Sequence, residues 1–224
     1  MKFFRDKLYE DITIPAPPKD DIVEAAEVKR LIANRTAEQE KSIADHDEVP
    51  FYAIKKYCDN NKMMFHKDEF KDIIYGATDT INYFKDKFDR KRPIEVDKTL
   101  DTSPSKTNKT PSYPSGHAAQ SRIVARYVAG KFPEHEANLI EAGNECGYGR
   151  VLAGFHYPSD YEAGNLLGEK MYKLMSKENY IKEMKTFKTF MESIIDIPRS
   201  TYAPGVFDDA DSKNPKIKSS VMTM

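Results

Sequence analysis

Apolar residues recur at helical spacing along most of this chain, and the pattern breaks where proline or clustered polar residues stand. Val23, Ala26, Val28, Leu31 and Ile32 predict one helix running from Asp21 to about Ala44. A shorter apolar stretch, Phe51 to Cys58, follows Pro50 and stops at Asp59-Asn60-Asn61. Phe70, Ile73, Ile74, Ala77, Ile81 and Phe84 mark a long amphipathic helix ending near Arg92, where Pro93 disfavours helical geometry at the residue before it. Residues 94–113 carry Thr, Ser, Lys and Pro without periodicity and read as one long surface loop, of the kind that often shapes a functional site. A helix restarts at Ser115 with Ile123, Val124, Tyr127 and Val128, and another follows Pro133 through Ala137, Ile140, Ala142 and Cys146 toward Leu152. Ser159 with Glu162 has the form of a capping box opening a helix through Leu166, Leu167, Met171 and Leu174. A last helix is predicted from Glu178 to Ile195. No strand pair and no repeat stands out, so the expected fold is all-α, a compact helical bundle.

The ends differ from this pattern. Residues 1–20 read as an extended arm broken by Pro15, Pro17 and Pro18, residues 21–197 as the helical domain, and residues 198–224 as a flexible tail. A length of 224 residues suits one domain with a sizeable core. The formal net charge of -1 gives no global pull toward nucleic acid or an anionic membrane. Mean hydropathy is -0.69, and no apolar run approaches the ~18 residues of a membrane span. Charge interrupts the start, Met1-Lys2-Phe3-Phe4-Arg5-Asp6, so no secretory signal is seen and a cytoplasmic protein is the default expectation. Cys58 and Cys146 are far apart and read as buried thiols rather than a disulfide. His46, His66 and His135 sit among charged residues and read as surface histidines, in no spacing that suits a metal.

Three blocks carry chemistry. Lys85 and Arg92 lie seven residues apart, so on one helix both project from the same face, although with Lys87, Arg90 and Lys91 among Asp86 and Asp89 a solvated basic stretch is the commoner reading of these residues alone. Ser115 and Gly116 open a helix after Pro114, and such a start offers unpaired N–H groups and the positive dipole end to an anion, with His117 alongside. An ordinary serine cap explains the same string. Arg150, His156 and Asp160 form the third block. A carboxylate four residues from a histidine can fix its tautomer, while Asp160 also suits the first turn of a helix for its charge alone.

Taken in order, Lys85…Arg92-Pro93, Pro114-Ser115-Gly116-His117 and Arg150…His156…Asp160 resemble the tripartite motif of the phosphatidic acid phosphatase type 2 / vanadium haloperoxidase superfamily. Among its branches the chain is most similar to the soluble bacterial class A non-specific acid phosphatases, over about Val23 to Leu174, with Arg35-Thr36 and Phe155-His156-Tyr157 adding to the likeness. The resemblance implies a metal-independent phosphomonoesterase without cofactor that acts on small soluble phosphoesters. His156 would be the nucleophile, Asp160 its orienting carboxylate and His117 the acid for the leaving group. Lys85, Arg92, Ser115, Gly116 and Arg150 would bind phosphate. Vanadate would inhibit, or in a haloperoxidase serve as cofactor, and a non-catalytic phosphate-binding protein is the third reading. Self-association is left open. One departure stands out: the family's usual serine before the third-block arginine, expected to hold a phosphate oxygen, is Gly149 here.

Overall fold

The helical periodicities condense into eight α-helices between residues 21 and 173 of the computed structural model, which describes residues 3–64, 67–175 and 187–189. They are α1 (Asp21–Ala33), α2 (Ala37–His46), α3 (Tyr52–Asn60), α4 (Lys67–Phe88), α5 (Pro93–Val96), α6 (Gly116–Lys131), α7 (Glu136–Leu152) and α8 (Pro158–Lys173), with no strand among the described residues. The all-α class read from the sequence is therefore what forms. The described part of residues 1–184 is one unit; of 185–224 only residues 187–189, which are helical, are described. Most of the expected last helix, the tail beyond Arg199 and His66 lie outside the described residues.

Helix α6 is the hub, packed against α4, α7 and α8. Ala118, Ala119, Ile123, Val124, Tyr127 and Val128 are all buried on it, so apolar residues cover more of its circumference than a surface helix allows. Close approach of α8 depends on Gly164. A Cβ there would stand 2.5 Å from the carbonyl oxygen of Ser115 and 2.8 Å from the Ala118 Cβ. That proximity brings the N-termini of α6 and α8 side by side, and the Ser115 N–H donates to the Asp160 carbonyl at 2.9 Å.

Five expectations change. The helix drawn from Asp21 to Ala44 is two helices, because Thr36 caps α2 in a reciprocal capping box with Gln39. The arm is anchored: Phe3, Phe4, Leu8 and Ile12 are core residues, and Leu8–Asp11 forms a 3-10 turn. Helix α4 ends at Phe88, where Asp89 turns left-handed at φ 42°, a conformation aspartate tolerates better than most residues. Pro93 is thus not the stop but the first residue of α5, a position that suits its missing N–H. The same proline logic opens α8 at Pro158, one residue before the expected Ser159 start, with Asp160 accepting from the Tyr157 N–H at 3.0 Å. Finally, the stretch 94–113 is not wholly a surface loop, since Leu100, Ser103, Ser112 and Tyr113 are buried.

Candidate active site

Helix ends from across the fold meet at one cavity of about 370 Å³. Lys85 comes from the last turn of α4, Gly116 and His117 from the first turn of α6, and Arg150 from the last turn of α7. Arg92 and His156 come from the segments leading into α5 and α8. Ile74, Thr78, Ile81 and Asn82 on α4, with Asp47, Glu48, Pro50, Thr107, Thr110 and Gln120, form the rest of the wall. Lys85 and Arg92 do not share a helix as their spacing suggested; both nevertheless reach the cavity, Arg92 after the turn at Asp89.

His156 is buried and its ring is fixed at both nitrogens. Nδ1 lies 3.1 Å from Asp160 Oδ2, and Arg92 Nη1 approaches Nε2 at 3.4 Å. The arginine nitrogen can only donate, so Nε2 carries the lone pair and Nδ1 the proton. Burial, then the charges of Arg92, Lys85 and Arg150, push the imidazole well below its ordinary pKa and keep it neutral. Gly154, at φ 80°, makes the turn that separates α7 from this histidine.

Asp160 is fully buried. Burial pushes its carboxyl up, opposed by Arg90 Nη1 at 2.6 Å on Oδ1, the Ser112 hydroxyl and the Tyr157 N–H. Arg90 was read only as part of a solvated basic stretch. Its side chain is 2 % exposed, lies over the Tyr157 ring at 3.9 Å, and also reaches Asp21, Glu24 and Ser159. Ser112 was likewise missed. A serine in a polar loop gives no sign of burial, and an arginine among lysines and aspartates gives none of its partners.

Two of the three cations are held by backbone carbonyls and the third by a carboxylate. Lys85 Nζ donates to the Pro111 carbonyl at 2.6 Å, and burial followed by repulsion from Arg92 lowers it to about 7. Arg92 donates to the carbonyls of Thr110 at 2.9 Å and Phe155 at 2.8 Å. Arg150, 1 % exposed, places Nη1 2.7 Å from Asp47 Oδ1, while its buried Nε has no hydrogen-bond partner among the described residues.

His117 Nε2 lies 2.9 Å from the Asp47 carbonyl oxygen, which only accepts, so Nε2 bears a proton. Burial, then Arg150, lowers His117 to about 3. Ser115 departs from its expected place. Its hydroxyl caps α6 at the Ala118 N–H (3.4 Å), its N–H is engaged by Asp160, and Gly116 and His117 line the cavity instead. Gly149 does not line the cavity either; a Cβ there would face Ile43 Cγ1 at 3.7 Å, so a serine at this position is not a lost phosphate ligand. His46 is buried rather than on the surface, with Nδ1 2.8 Å from the Ser42 carbonyl and Nε2 accepting from the Ala53 N–H. His135 is half-buried against the Tyr57 hydroxyl. Cys58 and Cys146 are free and buried, as expected.

Three cations and two histidines thus share one cavity built from helix ends. Residues 73–177, just under half of the chain, match the PAP2 superfamily. It is similar to an acid phosphatase of Zymomonas mobilis, 35% identical over 92 residues that are 40% of this chain and 35% of the relative. A non-specific acid phosphatase of Salmonella typhi is 42% identical over 57 residues, 25% of this chain and 23% of that protein. One of Providencia stuartii is 31% identical over 84 residues, 37% of this chain and 34% of its own length. The matches thus span about a third or less of these curated relatives. A transmembrane PAP2-type phosphatidylglycerolphosphate phosphatase from Bacillus subtilis aligns with 79% of this chain and 88% of its own, at TM-score 0.47 and 16% identity. Among the described residues, no helix here is long and apolar enough to cross a membrane.

Proposed function

We propose that the chain is a phosphomonoesterase of acid phosphatase type that works through a phosphohistidine on small phosphate esters. The observation that carries this reading is the convergence of Lys85, Arg92, Arg150, His117 and His156 on one cavity. Phosphoryl transfer asks mainly for positioning and for charge on the equatorial oxygens, and three fixed cations supply that charge without a metal. His156 Nε2 attacks phosphorus as the ester P–O bond breaks, while Asp160 holds the Nδ1 proton. The leaving oxygen takes a proton from His117. Because His117 Nε2–H is directed at the Asp47 carbonyl, Nδ1 is the nitrogen available for that transfer. Neutral His117 then accepts a proton from the attacking water, the P–N bond breaks, and inorganic phosphate leaves with His156 restored.

A doubly negative ligand favours the proton on His117 that the neighbouring cations disfavour, so substrate itself brings the acid into play. Activity is expected to fall on the alkaline side, because as pH rises through about 7 Lys85 gives up its charge and phosphate binding weakens. The cavity volume suits small esters.

The deciding experiment is hydrolysis of p-nitrophenyl phosphate from about pH 4 to 8 in the presence of chelator, wild type against His156→Ala. Turnover lost in the variant is the expected result. Equal activity in both proteins would remove His156 as nucleophile, and no activity in either would leave the cavity as a binding site only.

A further inference from the structure

Asp47 stands at the junction of three functional parts, and nothing in the motif blocks names it. Its Oδ1 takes Nη1 of Arg150 at 2.7 Å, its carbonyl takes His117 Nε2 at 2.9 Å, and both residues line the cavity with it. The loop over that cavity is tied to the same carboxylate. Ser105 Oγ donates to Oδ1 at 2.6 Å, the Lys106 N–H to Oδ2 at 2.9 Å, and Thr107 Oγ1 to Oδ1 at 3.1 Å. Arg150 Nη2 then returns to Thr107 Oγ1 at 3.0 Å and to Ser105 Oγ at 3.3 Å, closing the cluster. Burial alone would raise the Asp47 carboxyl. The Ser105 hydroxyl, the Lys106 N–H and Arg150 outweigh it and hold the group well below the usual carboxylate range.

We propose that Asp47 is a built-in counter-anion of Arg150 that sets how tightly the cavity holds phosphate, and that it ties the 105–107 loop to the site through the same oxygens. The proposal rests on the phosphatase reading above. A carboxylate bonded to one of three phosphate-binding cations neutralises part of the positive field that a phosphate dianion would meet. It also repels that dianion directly, because both share one cavity wall. The chemical purpose is turnover. A cage with three uncompensated cations binds product as readily as it stabilises the transferring group, and uniform binding does not raise the rate. Weakening the ground-state grip on inorganic phosphate lets product leave.

The test is calorimetric titration of inorganic phosphate into wild type, Asp47→Asn and Arg92→Ala. The asparagine keeps an acceptor for Ser105, Thr107 and Arg150 and leaves the carbonyl for His117, and besides the charge it gives up only the Lys106 N–H bond on Oδ2. Asp47→Asn should bind phosphate about tenfold more tightly, with KM and product inhibition moving the same way, while Arg92→Ala binds it more weakly. Asp47→Ser, which keeps a hydroxyl toward the loop, reads the same charge removal if the amide variant does not fold. Phosphate binding by wild type that neither Asp47 variant tightens overturns the counter-anion role and leaves the phosphatase reading intact. No phosphate binding by wild type overturns both.

Discussion

His156 leans on a carboxylate four residues away in sequence, whereas His117 leans on a backbone carbonyl seventy residues away. The consequences extend well beyond the two rings. Around Asp160, each acceptor oxygen already has a donor: Arg90 on one, and Ser112, the Tyr157 N–H and His156 on the other. Arg90 in turn is shared with Asp21 and Glu24, so the cluster carries its own compensating charges. That end holds an imidazole whose orientation and Nδ1 proton are fixed by a buried carboxylate. The His117 ring is hydrogen-bonded to a neutral backbone oxygen and faces Arg150 and Lys85, so its protonation state responds to the charge of a ligand in the cavity. A nucleophile needs constancy and an acid–base group needs responsiveness. In the proposed mechanism that is the division between His156 and His117.

Removing the responsive partner has the largest expected effect. His117→Ala should slow hydrolysis of alkyl phosphates by about 10²- to 10⁴-fold, the usual contribution of a positioned acid. Hydrolysis of p-nitrophenyl phosphate should fall far less, because its leaving group needs no proton. Steady-state kinetics on both substrates reads the difference. Equal losses would mean that His117 positions phosphate rather than protonating the leaving oxygen.

The constant end is tested through Arg90. Arg90→Met leaves Asp160 buried without its cation and should destabilise the fold by about 3–5 kcal/mol, as breaking other buried pairs does. Arg90→Lys keeps the charge but cannot reach Asp21, Glu24 and Asp160 together, and should lie between the two. Urea denaturation gives both values. For contrast, the exposed pair of Lys106 with Glu48 should be worth less than ~1 kcal/mol by the same measurement.

A smaller effect separates the histidines from an ordinary surface group. His117 is lowered to about 3 in the folded chain and stands near 6.5 when unfolded. Between those values the unfolded chain holds a proton that the folded one refuses, so stability rises with pH and is lost on acidification. The limiting slope for one such group is about 1.4 kcal/mol per pH unit. His117→Gln removes this share. Wild type should therefore lose stability relative to the variant between about pH 6.5 and 4, and added phosphate should restore part of it by favouring the protonated ring. A gap that stays flat across that window would show that His117 titrates normally.

Much of this was legible before any coordinates, and what was not has a common cause. Periodicity located the helices because buried faces repeat every three to four residues. It ran α1 into α2 since the break at Asn34–Thr36 is made by a cap, not by a proline. Lys85, Arg92, Gly116, His117, Arg150 and His156 were named from their spacing, and all line the cavity. Asp47, Arg90 and Ser112 were passed over because the carboxylate contacts that give them significance join residues 48 to 103 positions apart in the chain. His46 was misread for the same reason. Its neighbours in sequence are charged, but its ring is bonded to the Ala53 N–H on α3.

Gly149 gives the smallest and sharpest of these tests, because sequence and structure disagree on it. By resemblance, a serine there would add a phosphate donor, so Gly149→Ser should tighten binding. In the fold, position 149 lies in the last turn of α7 outside the cavity wall, and its Cβ direction leads to Ile43 at an ordinary contact distance. The substitution should therefore leave phosphate affinity and kcat within about twofold of wild type. It should raise stability by roughly 0.5 kcal/mol through helix propensity alone. Phosphate titration and a thermal melt on one variant measure both. Tighter phosphate binding would mean that α7 can rotate its last turn toward the cavity, which would also move Arg150 off Asp47.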